Sequence, residues 1–182
     1  MPDIRIIPKE GFKTTSWSGG TTTELFIWPE GASYAERRFS VRISTASVDI
    51  DESVFTPLPG VKRFLTPLCQ GFELNVNGEE KRLPYGEVLE FSGEDAVTCR
   101  GRGRDLNLML KGAEGSMRIV TGAFTVEPDA RAFVYAAEGG PIAYCGRCSS
   151  CTSTLLMRHD FAELAPGGYM TRAKLALFII EN

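Results

Sequence analysis

The feature that most constrains this chain is a repeated two-residue alternation of apolar and polar side chains, interrupted by glycine, proline, asparagine and serine. Alternation with period two is typical of half-buried β-strands, whereas amphipathic helices repeat every 3.6 residues. No segment sustains the helical period. The pattern predicts strands over residues 22–28, 39–48, 61–68, 72–76, 81–83, 87–91, 96–100, 105–111, 117–126, 131–136, 142–145, 154–158 and 174–180. So many short strands predict an all-β sandwich, a barrel or a pair of barrels.

Turn residues mark one hairpin and one boundary. Asn77 and Gly78 both tolerate the positive φ of a type I′ turn, so they predict a tight hairpin between two strands. The glycine-rich stretch 111–115 separates a longer first part from a shorter second part. We therefore predict two domains, residues 1–112 with the first barrel and residues 113–182 as a smaller second part, and leave open an exchange of strands between the termini. A Pro/Gly turn at 83–86 has a counterpart at 164–168, which supports an internal duplication only weakly.

Charge and hydropathy restrict the location and the partners. The formal net charge is −3, and acidic and basic residues are interspersed, so we expect neither a nucleic acid nor a membrane as partner. The longest apolar run, residues 175–180, is too short to span a bilayer, and the N-terminal residues lack the apolar core of a signal peptide. A cytoplasmic protein is the expectation. Its five cysteines are then expected to be reduced.

One turn resembles a cupin motif. Gly78, followed after five residues by Pro84, Tyr85 and Gly86, is similar to the start of the second cupin motif. Metal-binding cupins place a histidine shortly after this turn, but the equivalent position here is Leu89. A mononuclear cupin centre uses two or three imidazoles plus a carboxylate, and His159 is the one histidine of the chain. We therefore expect no metal in the barrel and no cofactor.

A set of further segments resembles a known family. In chain order they are residues 17–24, 39–46, 55–65, 91–93 and 105–109. Together they are similar to the HutD family, also called Ves, of bacterial two-cupin proteins often encoded beside histidine-degradation enzymes. The resemblance implies an all-β bicupin of two jelly-roll-like (RmlC-like) barrels packed together. Lys62 departs from the family pattern, which has an acid at that position.

The polar faces of two predicted strands suggest a binding site. Within 39–46, Arg42 and Ser44 alternate with apolar residues, and within 105–110, Asp105 and Asn107 alternate with leucines. The interior of a small barrel can hold a ligand. Two guanidiniums on such a lining could clamp a carboxylate. The candidate ligand-binding residues are Trp17, Thr21, Glu24, Arg42, Ser44, Arg63, Asp105 and Asn107. In the alternative interpretation the arginines form structural ion pairs with Glu24 or Asp105.

A cysteine cluster near the C-terminus has the spacing of a metal knuckle. Cys145, Cys148 and Cys151 are each separated by two residues, and His159 could complete a Cys3His structural zinc site. The default interpretation is an exposed, reduced loop. A redox pair of Cys145 and Cys148 is a further alternative.

Three hypotheses of function remain. The first is a metal-independent binding protein that senses or buffers a small anionic carboxylate metabolite, with no catalytic residue, linked by the resemblance to histidine degradation. The second is a metal-independent cupin isomerase, epimerase or lyase with Glu24 or Asp105 as general base. The third is a protein–protein module that uses the barrel as a scaffold. A homodimer is the expected assembly, because exposed cupin sheets commonly pair.

Overall fold

The computed structural model describes residues 3–145 and 151–181, and nearly all of its regular structure is antiparallel β-sheet. Within these residues the one helical element is a short 3-10 turn at Lys9–Gly11. No helix in this part of the chain is long and apolar enough to cross a membrane. The predicted all-β class is confirmed.

The strands fall into two compact units, Met1–Gly11 with Glu114–Asn182, and Phe12–Ala113. The first unit contains β1 (Ile4–Ile6), β12 (Gly115–Val126), β13 (Ala130–Ala136), β14 (Gly140–Cys145), β15 (Cys151–Leu156), β16 (Phe161–Leu164) and β17 (Gly167–Glu181). The second contains β2 (Lys13–Trp17), β3 (Gly20–Trp28), β4 (Val41–Val48), β5 (Glu52–Val54), β6 (Lys62–Pro67), β7 (Phe72–Val76), β8 (Glu79–Leu83), β9 (Leu89–Ser92), β10 (Val97–Arg100) and β11 (Gly103–Leu110).

In the Phe12–Ala113 unit, two sheets enclose an apolar core. One sheet has the order β2-β3-β4-β11-β6-β9 and the other β5-β10-β7-β8. Leu65 and Phe91 of the first sheet pack in one cluster with Phe72 and Leu74 of the second. Strands β7 and β8 are joined by the predicted hairpin, in which Asn77 has φ 54° and the glycine after it φ 91°. This unit therefore has the two facing sheets of a small jelly roll.

The other unit is built on one seven-stranded sheet. Its order is β1-β16-β13-β17-β14-β15, with β12 paired to β17. Phe124, Val134 and Leu175 belong to its buried core. Strand β1 pairs with β16, with Ile4 opposite Leu164.

The first 11 residues thus group with the C-terminal part, although the sequence prediction assigned them to the first domain. The division into domains 1–112 and 113–182 stays a prediction. Strands β1, β2, β5 and β16, of three to five residues each, were not predicted.

Candidate ligand-binding site

A pocket of about 560 Å³ opens within the Phe12–Ala113 unit. Its floor is one face of three neighbouring strands, β4, β11 and β6. Side chains alternate between the two faces of a strand, so every second residue faces the pocket. The residues of this floor are Arg42, Ser44, Ala46, Val48, Arg63, Asp105, Asn107 and Met109.

The strand register places the two arginines in one row. Met109 of β11 is the Cα partner of Arg42 on one side and of Arg63 on the other. Both guanidinium side chains therefore start from the same level of the floor. The intervening residues Leu106 and Leu108 are fully buried on the opposite face of β11. The alternation in the sequence thus assigned these faces correctly.

Arg42 is neutralised by an acid of its own sheet. Its Nε donates to Oε2 of Glu24 at 2.8 Å, and its Nη1 donates to Oγ of Ser44 at 3.2 Å. The guanidinium carbon lies 4.1 Å from the centre of the Tyr34 ring. Arg42 thus has the structural ion pair of the alternative interpretation, and it is not a free anion-binding group.

Arg63 is buried without an acidic partner. It is 7% exposed, and its Nη1 donates to the backbone oxygen of Thr56 at 3.2 Å. Its Nε is buried and has no hydrogen-bond partner, and among the described residues Arg63 forms no ion pair. The guanidinium carbon lies 5.0 Å from the ring centres of both Phe55 and Phe91. Loss of hydration lowers the pKa of Arg63 from its usual value, yet an arginine remains charged at neutral pH.

Asp105 is a buried carboxyl at the other end of the floor. It is 4% exposed, and its Cα partners on the adjacent strands are Ala46 and Pro67, whose side chains offer no hydrogen-bond donor. Asn107 Nδ2 donates to Oδ1 of Asp105 at 2.6 Å. Burial raises the pKa of Asp105 to about 7, against the opposing effects of the Asn107 hydrogen bond and the Arg63 charge. The carboxyl therefore changes its charge near neutral pH.

Two predicted site residues do not line the pocket. Thr21 lies on the other face of β3, where its Oγ1 is 3.0 Å from Oγ of Ser47, and Thr22 faces the pocket in its place. A shift of one residue along a strand moves a side chain to the opposite face. Glu24 contacts the pocket only through Arg42.

Trp17 forms part of the pocket wall and is 40% exposed. Its indole ring covers Gly19, where an added Cβ would lie 2.1 Å from a ring carbon. A side chain at position 19 would therefore displace the tryptophan. Gly19 keeps the indole at the wall of the pocket.

Several pocket residues outside the long strands were not predicted from the sequence. They include Tyr34, Ser53 of β5, and Phe55 and Thr56 of the loop that follows β5. The Oγ of Ser53 is buried and has no hydrogen-bond partner. Phe55 and Thr56 belong to the segment 55–65 that carries the family resemblance, and this was the one available signal for them.

The pocket does not fit the metal of other cupins. Leu89, at the position of the usual histidine, packs partly buried against the apolar core. The pocket presents two guanidiniums and no imidazole, and the chain's one histidine belongs to the other unit. Among the described residues no three cysteine, histidine or acidic side chains gather in a way that could hold a metal ion.

The cysteine cluster is brought together only in part. Cys145 and Cys151 are directly opposite each other on β14 and β15, with their Sγ atoms 3.7 Å apart, and Cys148 lies outside the described residues. His159 lies beyond the opposite end of this hairpin, roughly 17 Å of strand away, with Nδ1 2.7 Å from Oη of Tyr135. His159 therefore does not join Cys145 and Cys151, contrary to the predicted Cys3His set.

Several solved structures are similar to this chain. A conserved protein of unknown function from Pseudomonas aeruginosa PAO1 has a TM-score of 0.76 and 20% identity, covering 98% of this chain and 97% of its own. HutD from Pseudomonas fluorescens SBW25, solved in a formate condition, has a TM-score of 0.76 and 19% identity, covering 98% and 99%. Bacillus subtilis oxalate decarboxylase has a TM-score of 0.60 and 8% identity, covering 98% and 77%. At these identities the likeness shows the fold, which is that of the two-cupin proteins.

The family follows from a separate comparison. No curated protein matches the sequence. The HutD family model, however, matches residues 9–174, which is nearly the whole chain and includes every strand that forms the pocket. This protein is therefore a member of the HutD family.

Proposed function

We propose that this protein binds a small carboxylate metabolite in the pocket of the Phe12–Ala113 unit, with Arg63 as the anchor. The observation that carries the proposal is the buried Arg63 guanidinium, whose Nε has no hydrogen-bond partner and which forms no ion pair among the described residues. Burying an uncompensated charge costs several kcal/mol. An anion that binds to Arg63 removes this cost, so the folded protein is stabilised by its ligand.

The chemistry of the pocket favours a carboxylate. The planar guanidinium offers parallel N–H donors that match the two oxygens of a carboxylate. Arg42 does not compete for the ligand, because Glu24 already neutralises it. Phe55 and Trp17 supply apolar wall for the carbon skeleton of the ligand. A volume of about 560 Å³ suits a small metabolite.

Membership of the HutD family narrows the choice of carboxylate. The association of the family with histidine degradation suggests an intermediate of that pathway, such as a formylated or formiminated glutamate. A cytoplasmic protein that senses or buffers such an acid is the function we propose.

Thermal unfolding with formate, acetate and N-formylglutamate tests the proposal. A ligand at 100 times its Kd stabilises the folded state by about 2.7 kcal/mol, which raises the Tm by roughly 5–10 °C for a chain of this size. Arg63→Met should abolish the rise. It should not lower the stability of the free protein, because methionine fills the site without a buried charge.

The matched control is Arg82→Met, which removes an exposed arginine from β8 of the same unit. This variant should keep the full ligand-dependent rise in Tm. If Arg63→Met responds to the acids as the wild type does, Arg63 is not the anchor and the proposal is wrong.

A second candidate function rests on Asp105. A carboxyl with a pKa of about 7 can accept and release a proton near neutral pH, as a general base must. We propose as the alternative a metal-independent isomerase, epimerase or lyase in which Asp105 removes a proton from the part of the bound acid that lies away from Arg63. Proton NMR in D2O tests this alternative, because the C–H bond of the substrate that Asp105 reaches would exchange its hydrogen for deuterium. Exchange that persists in Asp105→Asn, or no exchange with any acid that binds, contradicts it.

A further inference from the structure

The pocket extends along β11 from the level of Arg63 to a second end, at Asp105. Arg63 is level with Met109 on β11, and Asp105 lies four residues further along the same face of that strand. This separation corresponds to about 13 Å of backbone. Asp105 therefore lies at the end of the floor away from Arg63.

The polar atoms at the Asp105 end have unused hydrogen-bonding capacity. Ala46 and Pro67, beside Asp105 in the sheet, have no donor in their side chains. Asn107 donates one hydrogen bond to Asp105, the backbone amide of Ala46 also stabilises the carboxylate, and Asp105 forms no ion pair among the described residues. Ser53 adds a buried Oγ without a partner to the lining of the same pocket. A carboxylate accepts up to four hydrogen bonds, so Asp105 can receive donors from a ligand.

We propose that the ligand is bifunctional, with a carboxylate that binds Arg63 and a nitrogen donor, such as an ammonium or amide group, that binds Asp105. This inference rests on the proposed function and specifies the class of its ligand. The charges of the pocket support it, because Arg42 pairs with Glu24 and Glu52 pairs with Arg100. Arg63 and Asp105 are then the charged residues of the lining that form no ion pair among the described residues. Ligands of complementary charge satisfy both groups, whereas a simple acid satisfies only the first.

Isothermal titration with a series of unbranched acids of three to six carbons tests the inference. Each ω-amino acid is compared with the plain acid of the same length at pH 8, where the Asp105 carboxyl is ionised. At the best length we expect the amino acid to bind at least tenfold more tightly than the plain acid. Asp105→Asn should remove this preference. The control Glu94→Gln, which changes an exposed carboxylate of the same unit, should keep it.

Each outcome decides the matter. If the amino acid and the plain acid bind equally at every length, and Arg63→Met abolishes the binding of both, the ligand is not bifunctional. The proposed function is then still supported. A preference for the amino acids that survives in Asp105→Asn places the nitrogen donor elsewhere and also overturns the inference. If neither series binds to the wild type, both the inference and the proposed function fall.

Discussion

Replacing Asp105 with asparagine should change how the stability of this protein depends on pH. In the folded protein burial raises the pKa of the Asp105 carboxyl from 3.8 to about 7. Each unit of difference corresponds to about 1.4 kcal/mol, so the ionised carboxylate costs the folded state on the order of 4 kcal/mol at pH 8. Asparagine has the same shape, can keep the contact with Asn107 and carries no charge.

The direction of the effect follows from proton binding. Between about pH 4 and pH 7 the folded state holds a proton on Asp105 that the unfolded chain has already released. The contribution of Asp105 to the free energy of unfolding therefore falls as the pH rises through this window, and it is constant above it. In Asp105→Asn this contribution is absent. From pH 5 to pH 8 the variant should gain about 2–3 kcal/mol relative to the wild type.

Urea unfolding at pH 5, 6, 7 and 8 measures this difference. Both tryptophans of the chain, Trp17 and Trp28, belong to the Phe12–Ala113 unit, so their fluorescence reports the unfolding of the unit that contains Asp105. Glu94→Gln is the control, since its exposed side chain should leave the pH dependence unchanged. A difference between Asp105→Asn and the wild type that is the same at all four pH values would refute the reasoning.

Three other changes test different parts of the structure. Arg42→Met should lower the free energy of unfolding by about 2–3 kcal/mol in urea titrations, because it leaves the partly buried Glu24 without a partner. A loss of less than about 0.5 kcal/mol would contradict this expectation. Gly20→Ala should lower the free energy of unfolding by more than about 2 kcal/mol in the same urea titrations. The added Cβ would lie 1.9 Å from a backbone oxygen of the next strand, and the φ of 151° at this position is strained for any residue but glycine. Hydrogen peroxide should join Cys145 and Cys151 in a disulfide, with loss of two hydrogens and reduction of the peroxide to water, because their Sγ atoms are 3.7 Å apart. Peptide mapping by mass spectrometry identifies the linked pair, and a bond to another cysteine refutes it.

The sequence by itself determined the fold class and much of the binding surface. Alternation along residues 39–46 and 105–110 assigned Arg42, Ser44, Asp105 and Asn107 to polar faces, and all four line the pocket. This worked because the two faces of a strand alternate with period two in any sheet, whatever the partner strands are. The motifs of the chain also indicated the HutD family, which the family model confirmed.

Only the tertiary structure decided which of the two pocket arginines, Arg42 or Arg63, lacks an acidic partner among the described residues. Both occur in strands and in matched motifs, so their local sequences do not distinguish them. The register pairs Glu24 of β3 with Ser44, two residues along β4 from Arg42, and from there its carboxylate reaches the Arg42 guanidinium. The neighbours of Arg63 across the sheet are Met109 and Phe91, and neither is acidic. The same register gives Asp105 two neighbours without side-chain donors, so the effect of burial outweighs the Asn107 hydrogen bond and the pKa of Asp105 rises. The charge of a buried group depends on the residues placed beside it, and strand pairing brings these together from distant parts of the chain.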